Sequence, residues 1–363
     1  MSCTSVAFGA EPTSETTHET EEREGQAANK AKKQQRWAAF PVIASSPETG
    51  LMLGGMLFHF FPTERPGEQA STVDIMTFGT SEGQYMLSVA PNIYLKDGLY
   101  RLHTAFFANY WQANYYNIGN DSRDVSEEYS STNFGAVLTL ERRLYDSFIV
   151  NIVGVSEKTD MEIKARGMLD RGDIAGADDG KYIGGGLTFG YDTRDNTNAP
   201  SKGAQARYTY MTYDKNLGSS LEFSIHYLDL RYYKQAPIVA GSVVALAVQA
   251  RSSEGDVPFR QMPSPDGTFL LRGIENGRYK DNQLLSFQSE YRFPIKARFS
   301  GTVFAEFAQV APNFSDMAAR DTKSSVGCGI RYALNPSQRF NIRGDIAWVD
   351  DGIGMIINVR EAF

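Results

Sequence analysis

Four histidines, two cysteines and a scatter of acids are the residues in this 363-residue chain that could do metal or covalent chemistry, and their spacing supports neither. His18, His59, His103 and His226 stand far apart and share no ligand spacing with a cysteine or an acid. Cys3 and Cys328 lie near opposite ends of the chain and imply no disulfide framework. Asp192, Ser224 and His226 do not form an acid, nucleophile and base set that sequence can support. The run Gly184-Gly-Gly186 has no Lys-Ser/Thr pair and no helix after it, so it is not a phosphate loop. Asp170, Asp173, Asp178 and Asp179 lack EF-hand spacing and read as a solvated external loop. The expectation is a protein that is not an enzyme and that has no metal and no other cofactor. A net charge of −7 argues against nucleic acid as a partner.

With reactive chemistry set aside, the pattern of the elements carries the argument. Short segments of alternating polarity follow one another from Trp37 to Phe363, punctuated by Gly, Pro, Asn and Asp, with no helical period and no break in composition. In 338–348, Phe340, Ile342, Ile346 and Trp348 point one way, and Arg339, Asn341, Arg343 and Asp345 the other. In 282–293, Leu285, Phe287, Tyr291 and Phe293 oppose Ser286, Gln288 and Glu290. No apolar run approaches the roughly 18 residues of a membrane helix. Alternation nonetheless lets a strand be apolar on every second side chain while its hydropathy averages out. The 19 Tyr, 22 Phe and 33 Gly suit such a wall.

Segments of this habit are expected near 38–46, 50–61, 71–80, 84–94, 99–111, 130–142, 147–157, 182–194, 203–213, 219–233, 239–251, 282–293, 298–309, 323–333, 338–348 and 353–363. The fold expected is an all-β, antiparallel transmembrane β-barrel of about 16 strands, with 12–14 as the alternative. Tight turns at Lys96–Gly98, Leu144–Ser147, Asn335–Gln338 and Asp350–Gly352 alternate with long connections at 112–130, 158–181, 252–281 and 310–322, placing short turns in the periplasm and long loops outside. The connections at 46–50 and 81–83 would be short external ones. Residues 1–36, rich in Glu, Thr, Gln and Lys, are expected to form a leader: a remnant of a signal peptide followed by a disordered tail. Residues 37–363 form the barrel.

Three segments resemble the outer-membrane assembly-factor superfamily, the BamA/TamA family also called bacterial surface antigens. The first is Gly186-Leu-Thr-Phe-Gly-Tyr-Asp-Thr-Arg-Asp-Asn196 followed by Pro200-Ser-Lys-Gly203, a strand, periplasmic turn and strand in which Asp192, Arg194, Asp195 and Gly203 carry the turn. The second is Leu271-Arg272-Gly273-Ile274, matching a family signature in which an aromatic usually stands where this chain has Ile274. The third is the C-terminal strand ending on Phe363, similar to the signal read by the barrel-assembly machinery; Glu361 breaks its alternation.

The resemblance implies that the long loop folds back into the lumen and that Arg272 pairs with acids on the two strands that follow, here Glu290 and Glu306, the latter where the family usually has Asp. A carboxylate on the wall would give a guanidinium the planar acceptor that its burial requires. It also implies a bacterial outer-membrane location, contact with outer-membrane lipid, help from the barrel-assembly machinery during biogenesis, and a protein or lipid client of unknown identity that is inserted or translocated. The seam between 38–46 and 353–363 would be the working edge, loosened by Gly352 and Gly354. Relatives that insert or translocate proteins carry periplasmic POTRA domains, and the leader is too short for one, so a short member without POTRA domains is expected. The alternative is a passive porin or a ligand-binding outer-membrane barrel.

Overall fold

In the computed structural model sixteen strands close into one antiparallel barrel. The residues described are 36–363, apart from 47, 63–69, 97–98, 121–125, 146, 165–166, 266, 268, 337–338 and 351. The expected leader, with Cys3 and His18, therefore lies outside them, save Arg36. The strands are β1 (Trp37–Ser46), β2 (Gly50–Phe60), β3 (Thr72–Thr80), β4 (Tyr85–Leu95), β5 (Tyr100–Tyr115), β6 (Glu127–Arg143), β7 (Phe148–Ile163), β8 (Gly180–Asp192), β9 (Gly203–Tyr213), β10 (Phe223–Gln235), β11 (Val243–Gly255), β12 (Gln283–Lys296), β13 (Phe299–Ala311), β14 (Lys323–Asn335), β15 (Phe340–Val349) and β16 (Gly352–Val359). Each pairs with its chain neighbours, and β16 returns to β1.

Alternation fixes which face each side chain takes, because a half-buried strand cannot slip by one residue without inverting every side chain. Leu285 and Phe287 face outward from β12, while Ser286, Gln288 and Glu290 are buried inside. On β15, Ile346 and Trp348 face out and Arg343 and Asp345 face in. Near the short-turn ends the rings of Trp37 and His59, Phe148 and Tyr191, and Phe299 and Tyr332 pair into an aromatic band. Tyr85 and Tyr110 stack near the opposite ends. Two aromatic bands on an apolar outer wall are the signature of a bilayer-spanning barrel.

The connections after β1 and β3 open toward the same end as the long ones after β5, β7, β11 and β13, and so does the tight connection between β15 and β16, which was expected among the periplasmic turns: Ser325, just after the long connection, pairs with Val349 at the end of β15.

The C-terminal strand departs from expectation. β16 ends at Val359 and the chain turns inward at Arg360, whose φ of +63° is a left-handed conformation uncommon outside glycine. Phe363 does not share the outer face of Ile353 and Met355. It is only 4% exposed and packs inside with Tyr233, Val243, Ala245 and Ala247. The turn accounts for Glu361, the residue that broke the alternation: the strand has already ended, and the carboxylate enters the lumen.

The seam is short for the same reason. The ladder between β1 and β2 runs unbroken from Trp37↔His59 to Ser46↔Gly50, and that between β15 and β16 from Ile342↔Val359 to Val349↔Gly352. Among the described residues β1 and β16 close through one registered pair, Ser45↔Ile357. Paired numbers there sum to 402 (45 + 357), so with β16 ending at 359 the strands can overlap only where 43–46 faces 359–356. Residues 37–42 have no β16 partner, and within that stretch Pro41 has no N–H to offer one.

Candidate functional site: the lumen loop and the mouth of the barrel

The connection between β11 and β12, residues 256–282, folds back into the barrel. Its apolar side chains draw it there. Val257 packs with Tyr182, Tyr213 and Phe223; Phe259 meets the rings of Tyr115 and Tyr129 edge-on; Leu270, Leu271 and Ile274 cluster with Tyr279, Leu284 and Val310. Ile274, which stands where the resembled signature has an aromatic, fills an aliphatic contact.

Arg272 is 0% exposed at the tip of this loop. Its Nη1 lies 2.8 Å from Glu290 Oε1 and 3.1 Å from Asp345 Oδ2, and its Nη2 lies 2.8 Å from Glu306 Oε1. Its backbone N–H donates to Glu306 Oε2 at 2.7 Å, so the second carboxylate holds both the main chain and the side chain. The guanidinium lies 3.4 Å from the centroid of the Phe304 ring. Ser325 Oγ donates to the carbonyl of Arg272 at 2.6 Å. Burial opposes the charge on Arg272, but the carboxylates of Glu306, Glu290 and Asp345 outweigh it and raise the guanidinium above its ordinary pKa.

Gly273 has φ +96°, and a Cβ there would stand 2.9 Å from Ala347 Cβ. Gly354 of β16 lies against it: a side chain on Gly354 would run into the Gly273 backbone. Gly354 therefore admits the loop tip against the seam strand, a role distinct from the loosening expected of it.

The pairing extends beyond the loop. Arg343 Nη1 donates to Asp345 at 2.5 Å, and Arg331 bonds both Asp345 and, at 2.9 Å, Glu361. Arg292 donates to Glu290 at 2.7 Å and to the main-chain oxygen of Phe363 at 2.9 Å, with its guanidinium 5.4 Å from the Phe363 ring. One connected set of ion pairs thus joins the loop tip to the inward-turned tail. Isolated buried charges would be strongly unfavourable; alternating them along a chain lets each find an opposite neighbour.

The turn at 193–202 lies at the short-turn mouth. Arg194 forks onto Asp192 at 2.9 and 2.6 Å. Asp195 accepts from Ser201 N at 2.8 Å, Ser201 Oγ at 2.6 Å, Lys202 N at 3.2 Å and Arg339 Nη1 at 2.7 Å. Burial raises the pKa of Asp195, but these donors outweigh it and hold the carboxyl well below the usual carboxylate range. Gly203 has φ +104° and no room for a Cβ against Thr193 and Arg194. The turn between β8 and β9 faces the seam across the ring of strands, and it meets the tail there: Glu361 N–H donates to the carbonyl of Asn198 at 3.3 Å.

Residues 75–354 match the Omp85 superfamily domain. The chain belongs to the Omp85 superfamily. Among solved structures, BamA from Haemophilus ducreyi lacking POTRA domains 1–3 is similar, with a TM-score of 0.63 and 12% identity over 90% of this chain and 71% of that one. CdiB from Acinetobacter baumannii is similar with a TM-score of 0.59 and 12% identity, over 90% of this chain and 60% of CdiB, so the chain spans well under the full length of that protein. At such identity the likeness is one of fold. No match was found among curated proteins. The chain is thus an outer-membrane barrel of the Omp85 type.

Sequence reasoning named Arg272, Glu290 and Glu306, which this barrel brings together, but not Asp345 as the third acid. Asp345 had been placed on the inner face of its strand; what was lacking was any local sign that the loop reaches across to β15. Arg292, Arg331 and Glu361 were likewise not linked to the loop. Glu361 alone carried a usable sign, as a charge on the lipid-facing parity.

Proposed function

We propose that this Omp85 barrel assists the insertion or translocation of a protein or lipid client at the outer membrane, through the seam between β1 and β16, and that it does so by strand pairing and local opening, without covalent catalysis. The observation that carries the reading is the seam itself. Among the described residues one registered pair closes it, while the flanking ladders run the length of their strands. An edge so thinly paired offers free N–H and C=O groups to an incoming strand, the geometry of β-augmentation. The loop anchored at Arg272 fills the lumen meanwhile, which favours a side route over a wide central channel.

The test locks the seam. With Cys3 and Cys328 replaced by Ser, the pair Ser45→Cys and Ile357→Cys places two thiols at opposed positions within disulfide reach. The protein is reconstituted in liposomes and presented with a urea-unfolded outer-membrane barrel polypeptide, and folding of that client is followed by its heat-modifiable mobility on a gel. The reduced form is expected to speed client folding and the oxidised form to lose that effect. Equal acceleration by both forms refutes lateral opening.

A further inference from the structure

Between the loop and the wall formed by β4–β7 lies a cavity of about 340 Å³. None of the residues lining it belongs to the Arg272 network. Trp111 and Tyr129 present rings to it, Asn109 and Asn133 present amides, and the loop contributes Arg260 and Lys280. The two cations differ. Arg260 is fully engaged, donating to Ser131, Asn133, Glu157 and Thr159 at 2.7–3.2 Å.

Lys280 is 4% exposed, and its Nζ faces the rings of Phe259 at 5.1 Å and Tyr115 at 5.7 Å. Gly277 leaves room for the ammonium: a Cβ there would stand 3.2 Å from Nζ. Glu48 lines the same cavity, its Oε1 accepts from Trp111 Nε1 at 2.7 Å, and its charge offsets part of the burial cost of the ammonium. Two rings and a glycine close three sides, and the cavity lies on the fourth. Ring faces attract an ammonium but accept its hydrogens poorly, so an acceptor held in the cavity would be favoured. Burial first and then the positive charge of Arg260 push the Lys280 pKa down to about 8, with Glu48 offsetting only part of this.

We infer that this cavity is a binding site for an anionic saccharide, a sugar ring bearing a carboxylate or phosphate, with Lys280 as the anion receptor and Trp111 and Tyr129 as platforms for the ring. The size decides against a lone inorganic anion, because the space falls within the range of small-molecule pockets, roughly 300–1,000 Å³. The aromatic and amide lining suits a ring with one apolar face and a rim of hydroxyls. The site does not depend on whether the seam opens, so it can stand or fall separately from the proposed function.

The test is calorimetric titration of the full chain in detergent with D-glucuronate, D-glucose and inorganic phosphate, repeated on Lys280→Met and Lys280→Arg, with heat-modifiable gel mobility as the check of folding. Native protein is expected to bind glucuronate at least tenfold more tightly than either glucose or phosphate. Lys280→Met should weaken glucuronate binding at least tenfold and leave glucose unchanged, while Lys280→Arg keeps most of the preference. The inference is overturned if the native chain does not bind glucuronate, if glucose binds as well, if phosphate binds as well and so reveals an anion site only, or if folded Lys280→Met retains full affinity. Should Lys280→Met fail to fold, the three native titrations decide.

Discussion

The wall formed by β12–β15 and the seam formed by β1 and β16 are two solutions to closing one cylinder. The wall carries Gln288, Glu290 and Arg292 on β12, Glu306 on β13, Arg331 on β14 and Arg343 and Asp345 on β15, all buried and facing inward. Each of these charges is held by a neighbour or by the loop, and the ladders between these strands are long. The seam has Pro41 and a truncated β16, and next to it β2 turns Met52 and Met56 inward with no charge between them. The lesson is that the wall is tied twice, by paired inner charges and by long backbone ladders, where the seam has little of either. The loop is fixed to the stiff wall, and its tip rests on the yielding strand at Gly354.

The largest expected effect comes from removing the anchor of the stiff wall. Arg272→Ala leaves Glu290, Glu306 and Asp345 facing one another in a buried space, and loss of one partner of a buried pair costs about 3–5 kcal/mol. The urea midpoint in detergent should fall markedly, while Arg320→Ala, at a side chain 86% exposed, should leave it in place. Equal midpoints would erase the contrast between wall and surface. Planar-bilayer recordings sharpen the point: low conductance in the native chain should rise in Arg272→Ala as the loop leaves the lumen. Large, steady native openings would instead favour a passive porin.

A smaller effect tests where the loop meets the seam. Gly354→Val forces a branched side chain into the Gly273 backbone, an overpacking that costs about 1–3 kcal/mol. Thermal stability should drop by less than in Arg272→Ala, while conductance still rises because the loop tip has been displaced. An unchanged conductance would mean that the loop is held by the wall alone.

The smallest effect concerns the mouth. The Asp195 carboxyl has a depressed pKa, so its stabilising contribution is present above the unfolded value of about 3.9 and is lost as pH falls through the lower folded value. Asp195→Asn should lower the thermal midpoint by a constant amount between about pH 5 and 7, a difference worth on the order of 1 kcal/mol, and the gap to the native protein should narrow below about pH 4. A gap that widens in acid would reverse the assignment.

Much of the fold was legible because alternation and turns are local. The turn ending at Gly203 and the strands of the expected list rest on residues within a few positions of one another, and the expected segment 203–213 coincides with β9. What could not be read depends on contacts far apart in sequence. Asp345 meets Arg272 across 73 positions, and nothing near either residue announces it. The inward turn at Arg360 was missed because an arginine, not a glycine, adopts the left-handed conformation, so counting parity ran on to Phe363. Lys280 and Arg260 carry no local sign of a shared site, and only the return of the loop into the lumen brings them to one cavity.

The inward turn at Arg360 carries one more consequence. Residues 360–363 are the ones that the summed register of 402 would set opposite 42–39, so they can either zip onto the first strand or stay seated on Tyr233 beneath Arg292 and Arg331. The two placements exclude each other. A longer seam would leave both arginines without Glu361, so lateral closure and the lumen charges call on the same four residues, and in this structure the lumen charges hold them.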